Sequence, residues 1–467
     1  MKINKLSQSS LLFLIIAILV ACTNFNNSEQ LTSESNSTQT TPSSQENKTL
    51  EIWWDKGYIA EEDEILQQIV DDWQQNTGNK AEIFFYSADE ITQKTNRAIQ
   101  AGNPPDLLFS SRAEYPLLAW QGKLIDVSDV IKPVEKFYSS TAKQAAYLYN
   151  NVEKKRSYYA VPLHQATIHI FYWKDLLKKA GKNSEDIPQK WDEFWEFWRK
   201  LPIKFQNNGK TNIYSLGLPI SVGASDTYYL FEQILEAYDV SILDSRGQLI
   251  VDNPKVRQGI VNCLEWYAKF YQQGYVPPTA TRWLDPDNNR SFLNRTVVMT
   301  PNPTLSIATA LRKDPETYTN KLGMLEFPTK PNGKPMRHIV AVRQVVILAE
   351  AQNQKIAKNF LAYLIQPEVI GNYLKSSGGR YLPVITPAKQ DSFWTQPTDL
   401  PVSTATKTLT QGQTRLFYSV QNPIYSSVLA ENIWGKALNR IVTDNISANQ
   451  AADEAIARIK AIFRKGQ

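Results

Sequence analysis

Three histidines, two cysteines and 46 acidic residues are the material this chain has for catalysis or metal binding. His164 and His169 are five apart in an extended segment, so they point to opposite faces and do not chelate one metal as a pair; His338 stands alone. Cys263 shares a helical face with Val256, Ile260, Leu264 and Tyr267, the setting of an inert core thiol rather than a nucleophile. Asp285 and Asp287 have the residue types of a hydrolytic carboxylate dyad, although loop acids are far more often surface groups. Paired tyrosines such as Tyr158-Tyr159 and Tyr228-Tyr229 ligate ferric iron in some settings, but no His and acid partners stand at useful spacing. The chain contains no G-x-S-x-G, H-E-x-x-H or G-x-G-x-x-G, and Gly209-Lys210-Thr211 lacks the upstream glycine of a phosphate loop. These patterns predict no catalytic centre, no metal and no cofactor.

The elements that must carry any site alternate between two periods. Leu50-Glu51-Ile52-Trp53-Trp54 reads as a strand, and Ile65, Leu66, Ile69, Val70 and Trp73 recur at helical spacing until Asn76-Thr77-Gly78. Residues 81–86 read as a strand, 91–100 as a helix and 106–110 as a third strand, a βαβαβ run that predicts a mostly parallel sheet with helices on both faces. Ligands of such sheets sit outside the carboxyl ends of the strands, which draws attention to Asp55, Lys56, Ser110, Ser111 and Arg112. Further on, 167–172 is a β run, and Trp191, Phe194, Trp195 and Trp198 form a helical stripe for the core. Helices are expected over 227–238 and 254–273, strands over 296–300 and 345–349, an extended crossing near 321–327, and a last helix opened by Ser447 and Gln450 at capping-box spacing.

The 467 residues allow about two or three domains, and the balance of 51 basic against 46 acidic residues gives +5, with the signs interspersed. Nucleic acid is therefore not an expected partner. The load of 12 Trp, 22 Tyr and 18 Phe is noticeable. At the N-terminus, Lys2 and Lys5 precede the short apolar stretch 11–20, a signal peptide over 1–21 and too short for a membrane span. Leu19-Val20-Ala21-Cys22 looks like the lipobox of bacterial lipoproteins, with Cys22 the lipidated residue. Residues 22–48 are rich in Ser, Thr, Asn and Gln and read as a disordered tether.

Five strings in order carry a family resemblance. Ala98-Ile99-Gln100-Ala101-Gly102-Asn103-Pro104-Pro105-Asp106, the stretch 118–126, Tyr159-Ala160-Val161-Pro162, Phe171-Tyr172-Trp173-Lys174-Asp175-Leu176 and the stretch 188–194 resemble the family 1 extracellular solute-binding proteins, the maltose-binding-protein-like receptors of ABC importers. The resemblance implies an α/β fold of the periplasmic-binding-protein type II: two discontinuous lobes joined by a hinge, with a ligand cleft between them. Lobe 1 is expected over 49–161 and 328–373, lobe 2 over 162–327 and 374–467. It further implies a monomeric, lipid-anchored, extracytoplasmic receptor that binds a small solute, a sugar or polyol, by lobe closure and hands it to ABC permease subunits in the membrane. A surface lipoprotein enzyme acting on glycans is the alternative.

The sequence departs from the family pattern at Lys190, where Thr usually caps the following helix, at Asn294-Arg295, which replace Gly-Lys, and at Pro301-Asn302-Pro303, where many relatives carry Gly and a sugar-stacking Trp. A polyol needs polar side chains for its hydroxyls and an aromatic plane for its C–H face. For the first role the expected residues are Asp55, Lys56, Arg112, His164, Gln165 and Asp226, together with Asp285, Asn302 and Arg380. For the second it is Trp283, in a polar, Pro-interrupted stretch just before the segment that lacks the family's Trp. The anchoring expectation has a direct measurement. Cys22→Ala should move the protein from the detergent phase to the aqueous phase on partitioning, and equal partitioning of variant and parent would refute it.

Overall fold

The computed structural model describes residues 49–111, 115–201, 206–207, 211–396 and 398–466. The signal peptide, the tether with Cys22, Arg112 and Gly209-Lys210 lie outside the described residues.

Two sheets organise the chain. The larger has the spatial order Leu382–Pro383, Val161–Thr167, Arg337–Ile347, Leu107–Phe109, Thr49–Asp55, Lys80–Tyr86, with Gln413–Leu416 joined to the start of Arg337–Ile347. Thr49–Asp55 is parallel to both Lys80–Tyr86 and Leu107–Phe109, the βαβαβ unit read from the sequence, with helices Ala60–Thr77 and Ala88–Gln100 as its crossovers. The expectation of a mostly parallel sheet needs correction. Arg337–Ile347 runs antiparallel to Leu107–Phe109 and Val161–Thr167, because the chain reaches it on return from the other sheet and not through a crossover helix, the connection that parallel pairing requires.

The smaller sheet has the order Tyr214–Leu216, Val297–Asn302, His169–Trp173, Leu322–Leu325. The chain passes into it at Ile168, between Val161–Thr167 and His169–Trp173, and returns between Leu325 and Arg337. The boundary expected after residue 161 thus falls at the start of a strand of the larger sheet. Leu382–Pro383 pairs in that sheet too, and the last passage, expected after Tyr373, comes after Leu416. There the chain joins helices that follow the smaller sheet's first strands, with Asn432 donating to the Ala224 carbonyl at 2.8 Å and Arg257 paired to Asp453 at 2.7 Å.

The Trp stripe is core. On helix Trp191–Lys200 all four of its rings are buried, and Trp195 meets Trp266 edge to face at 4.9 Å. Lys190 supplies no side-chain cap. Cys263 is fully buried, and burial pushes its thiol up. The last helix, Ala448–Lys465, is capped by Ser447, which accepts from the Gln450 N–H at 3.1 Å, while the Gln450 side chain turns forward to Glu454 instead of back. The strand expected at 345–349 is longer, Arg337–Ile347; Arg343 and Gln344 interrupt its apolar pattern and sit at a shift of register against Val161–Thr167.

Helix Ser225–Ala237 is tied to the larger sheet. Gln233 donates to the Arg337 carbonyl at 3.0 Å and accepts from the Ile339 N–H at 3.1 Å, so it extends the hydrogen bonding of the central strand. Glu236, 3% exposed, accepts from Lys330 at 2.9 Å, Arg337 at 2.8 Å and Arg415 at 3.0 Å. Burial alone would raise its carboxyl, but Arg337, Arg415 and Lys330 outweigh it and hold Glu236 at about 2.

All three histidines are buried, and His169 stands at the first passage between sheets, with Nδ1 3.2 Å from the Thr167 carbonyl and Nε2 3.1 Å from the Thr408 hydroxyl. Burial and the neighbouring His338 hold its imidazole down at about 3. The unfolded chain takes up this proton near pH 6.5 and the folded chain does not, so stability is full above that pH and falls as pH drops from about 6.5 toward 3. At pH 5 the loss from this residue is about 2 kcal/mol. His169→Gln should therefore lose less stability than the parent between pH 7 and 5 in denaturant titrations; identical slopes would contradict the assignment.

Candidate functional site

The carboxyl ends of the three parallel strands open onto a cavity of about 680 Å³. Trp54 and Asp55 end the first strand and Lys56, Gly57 and Tyr58 follow it, Ser87 to Asp89 follow the second, and Phe109 ends the third with Ser111 beyond it. His164, Tyr373, Arg380 and Tyr381 close the side, and Leu284, Asp285, Pro286 and Arg290, from the segment before the smaller-sheet strand Val297–Asn302, form the opposite wall. The placement follows from the parallel unit, whose strands all point the same way and deliver their following loops to one edge.

The floor is a set of buried charges held by partners. Asp55 is buried, and its Oδ2 accepts from the Ser111 N–H. Burial raises its carboxyl against the lowering pull of Ser111, Arg343 and Arg380. Arg343 donates to the Ser111 carbonyl and lies 5.7 Å from the centroid of the Tyr229 ring, so the Ser111 residue is gripped at its N–H by Asp55 and at its carbonyl by Arg343. Arg380 donates to Glu62 Oε2 at 2.9 Å. His164 is stacked on Tyr381 at 4.0 Å and tilted against Phe109 at 5.6 Å. Burial, with Arg343 and Arg380 nearby, holds its imidazole well below the usual range, so it is neutral at physiological pH. Lys56 is exposed at the mouth and extends the ladder by donating its N–H to the Tyr86 carbonyl at 2.7 Å.

On the other wall Asp285 has a structural duty. It accepts from the Ser225 hydroxyl at 2.8 Å and the Asp226 N–H at 3.1 Å, capping helix Ser225–Ala237, whose own N-cap residue, Ala224, has no side chain for the task. Asp226 is therefore not the cap. It sits behind Asp285, accepts from Asn288 Nδ2 at 3.1 Å, and is pushed well above the carboxylate range by burial and by the Asp285 charge.

Of the residues singled out in the sequence, Asp55, Lys56, His164, Asp285 and Arg380 line the cavity. Four others lie away from it. Gln165 is spent on the Pro383 carbonyl at 3.4 Å inside the larger sheet. Asn302 joins a buried cluster with Asn289, Thr304 and Ser306, and Asp226 is in the layer behind Asp285. Trp283, 5% exposed, donates to Thr279 Oγ1 at 3.1 Å and lines a separate cleft of about 430 Å³. The aromatic platform expected of it is not at this cavity, because the Pro-interrupted stretch turns its ring toward Thr279. Sequence reasoning missed Tyr58, Glu62, Arg290 and Tyr381. Tyr58 had a usable signal, since it stands three residues past the carboxyl end of the first strand.

Comparison with known proteins places this geometry. The profile of the family described as "Bacterial extracellular solute-binding protein" matches residues 68–402. The diacetylchitobiose binding protein DasA of Streptomyces coelicolor is 22% identical over 334 residues, 71% of this chain and 72% of that protein. An arabinooligosaccharide-binding protein of Halalkalibacterium halodurans is 24% identical over 170 residues, 36% of this chain and 34% of its own length. Among solved structures, an ABC transporter solute binding protein of Thermotoga lettingae bound with alpha-D-tagatose superposes with a TM-score of 0.75 at 21% identity, covering 89% of this chain and 99% of that one. Maltose-bound MalE3 of T. maritima superposes with a TM-score of 0.72 at 18% identity, covering 89% and 100%. The shared fold is the two-lobed periplasmic-binding-protein type II, and the named relatives are binding proteins rather than enzymes acting on glycans. The chain belongs to the bacterial extracellular solute-binding protein family.

Proposed function

We propose that this protein is the extracytoplasmic receptor of an ABC importer, binding a sugar or related polyhydroxylated solute in the cavity between its two units and delivering it to the permease. The observation that carries this reading is the composition of the cavity wall. It mixes acids, bases and aromatic rings, yet several of the charges are answered internally: Arg380 by Glu62, Arg290 by Asp287 at 2.8 Å, Asp285 by the start of helix Ser225–Ala237. Such a lining offers fixed donors and acceptors with little net field, which suits hydroxyl groups better than a strongly charged ligand. The names of the relatives, a diacetylchitobiose binder and an arabinooligosaccharide binder, agree with it.

In this reading the larger sheet belongs to one lobe and the smaller to the other, with the passages at Ile168, between Leu325 and Arg337, and after Leu416 as the hinge. A ligand touching both walls binds the closed arrangement better and draws the population toward it. The chain works as a monomer, held at the membrane by lipid on Cys22 through the tether, and it does no chemistry on its cargo. Among the described residues no helix is long and apolar enough to cross a membrane.

A thermal-shift screen against a carbohydrate and polyol library tests the assignment. At least one neutral saccharide should raise the melting temperature, be recovered unchanged, and lower the radius of gyration in small-angle scattering at saturation. A library without a stabilising compound, or turnover of the compound that binds, would overturn the proposal.

A further inference from the structure

Arg380 lines the cavity with one acceptor, Glu62, for a guanidinium that carries five N–H donors. What aims it lies outside the cavity. Arg380 follows Gly378 and Gly379, the turn that ends helix Pro367–Ser376, and both glycines have a φ of +72°. A Cβ at 378 would stand 2.7 Å from Thr309 Cγ2. The position therefore needs glycine twice over, for its left-handed backbone and for its close approach to helix Ser306–Leu311.

That helix comes from a distant stretch of the chain, just after the smaller-sheet strand Val297–Asn302, and residues at its two ends grip the turn. The Leu305 N–H donates to the Arg380 carbonyl at 3.1 Å, and Arg312 Nε donates to the Gly378 carbonyl at 2.6 Å. Arg312 is itself held in place. Its Nη2 donates to Asp399 Oδ2 at 2.8 Å, and the Tyr318 hydroxyl donates to the other Asp399 oxygen at 2.7 Å. The Tyr318 and Phe393 ring centroids lie 4.9 and 5.1 Å from the Arg312 guanidinium, within cation–π range. Arg380 is thus pinned from two sides, its side chain to Glu62 on helix Ala60–Thr77 of the larger sheet and its backbone to the segment that follows a strand of the smaller one.

We propose that Arg312 is a positioning residue for solute binding: by clamping the Gly378-Gly379 turn to helix Ser306–Leu311 it sets where the Arg380 guanidinium stands in the cavity wall. A planar fork suits this task, since one edge serves a carbonyl and another a carboxylate in fixed geometry while the faces meet rings; a lysine ammonium has no such fork. The inference rests on the reading of the cavity as the solute site. A solute that accepts from Arg380 binds best with the turn clamped, so occupancy and the arrangement of the two sheets favour each other.

Double-mutant cycles separate positioning from a general loss of packing. Among the described residues Arg312 shares no hydrogen bond or ion pair with Glu62, so Arg312→Met and Glu62→Gln are additive in denaturant titrations if Arg312 only packs. If it sets the Arg380–Glu62 pair, the effect of Glu62→Gln on the unfolding constant should shrink about threefold to tenfold in the Arg312→Met background. Lys313 pairs with Glu61 beside these residues, and Lys313→Met should leave that coupling in place. Additivity, or coupling that vanishes with Lys313→Met, overturns the proposal. Calorimetric titration with maltose, mannotriose and diacetylchitobiose reads the same link on binding. For the sugar that binds the parent, Arg312→Met should weaken affinity about threefold to tenfold, a loss that should disappear in an Arg380→Lys background; unchanged affinity, or the same loss in both backgrounds, overturns the role in binding. Should Arg312→Met fail to fold, Arg312→Lys, which keeps the charge beside Asp399 without the fork, carries both cycles. If none of the three sugars binds the parent, the failure lies with the choice of cargo, and the denaturant cycle still decides whether Arg312 positions Arg380.

Discussion

A carboxylate buried to 3% exposure cannot be left without counter-charge, and Glu236 obtains three cations from segments far apart in sequence: Lys330, Arg337 and Arg415. Losing any partner of such a cluster leaves a charge in low dielectric, while the intact cluster adds little net stability over an apolar one. Its contribution is geometric. It fixes helix Ser225–Ala237 against the central strand of the larger sheet and against Gln413–Leu416, and that placement sets where the other end of the helix lies. The start of the helix is where Asp285 docks, and Asp285 is cavity wall. One wall of the site is thus located by an ion cluster at the opposite end of a 13-residue helix.

The other wall is located by the backbone. Three parallel strands in register bring Asp55, Ser87 and Ser111 to one edge, and the residues that follow them are fastened locally, Ser111 between Asp55 and Arg343, the turn at Gly57 to Glu62 and Asp63. Arg343 sits where the central strand shifts register. That irregularity lets a cation enter the middle of an otherwise apolar strand and reach the loop beyond a neighbouring strand end.

How much of this could be read in advance depended on whether the information was local. The βαβαβ unit, the Trp stripe and the glycine-terminated first helix follow from periodicity within single segments, and the rule for parallel sheets then pointed to Asp55 and Lys56. Arg337–Ile347 was only partly visible, because His338, Arg343 and Gln344 break its apolar run and their partners lie in other segments. Trp283 illustrates the limit. A Trp in a polar stretch without helical or alternating pattern suggested a ligand-facing ring, whereas a single hydrogen bond to Thr279, four residues before it, turns it into a different cleft. Tyr58 was legible by position, three residues past a strand end.

Asp285 belongs at once to the wall of the cavity and to the hydrogen bonding that begins a helix sixty residues earlier in the chain. Residues with a single duty are free to vary; this one is not. A lineage drifting toward a new cargo by replacing Asp285 would also expose the N–H groups of a buried helix, so the change is open only to chains with stability in reserve or with a new cap at position 224 already in place. On the proposed reading of the cavity, the other residues of that wall, Leu284, Pro286 and Arg290, are where cargo preference has room to evolve.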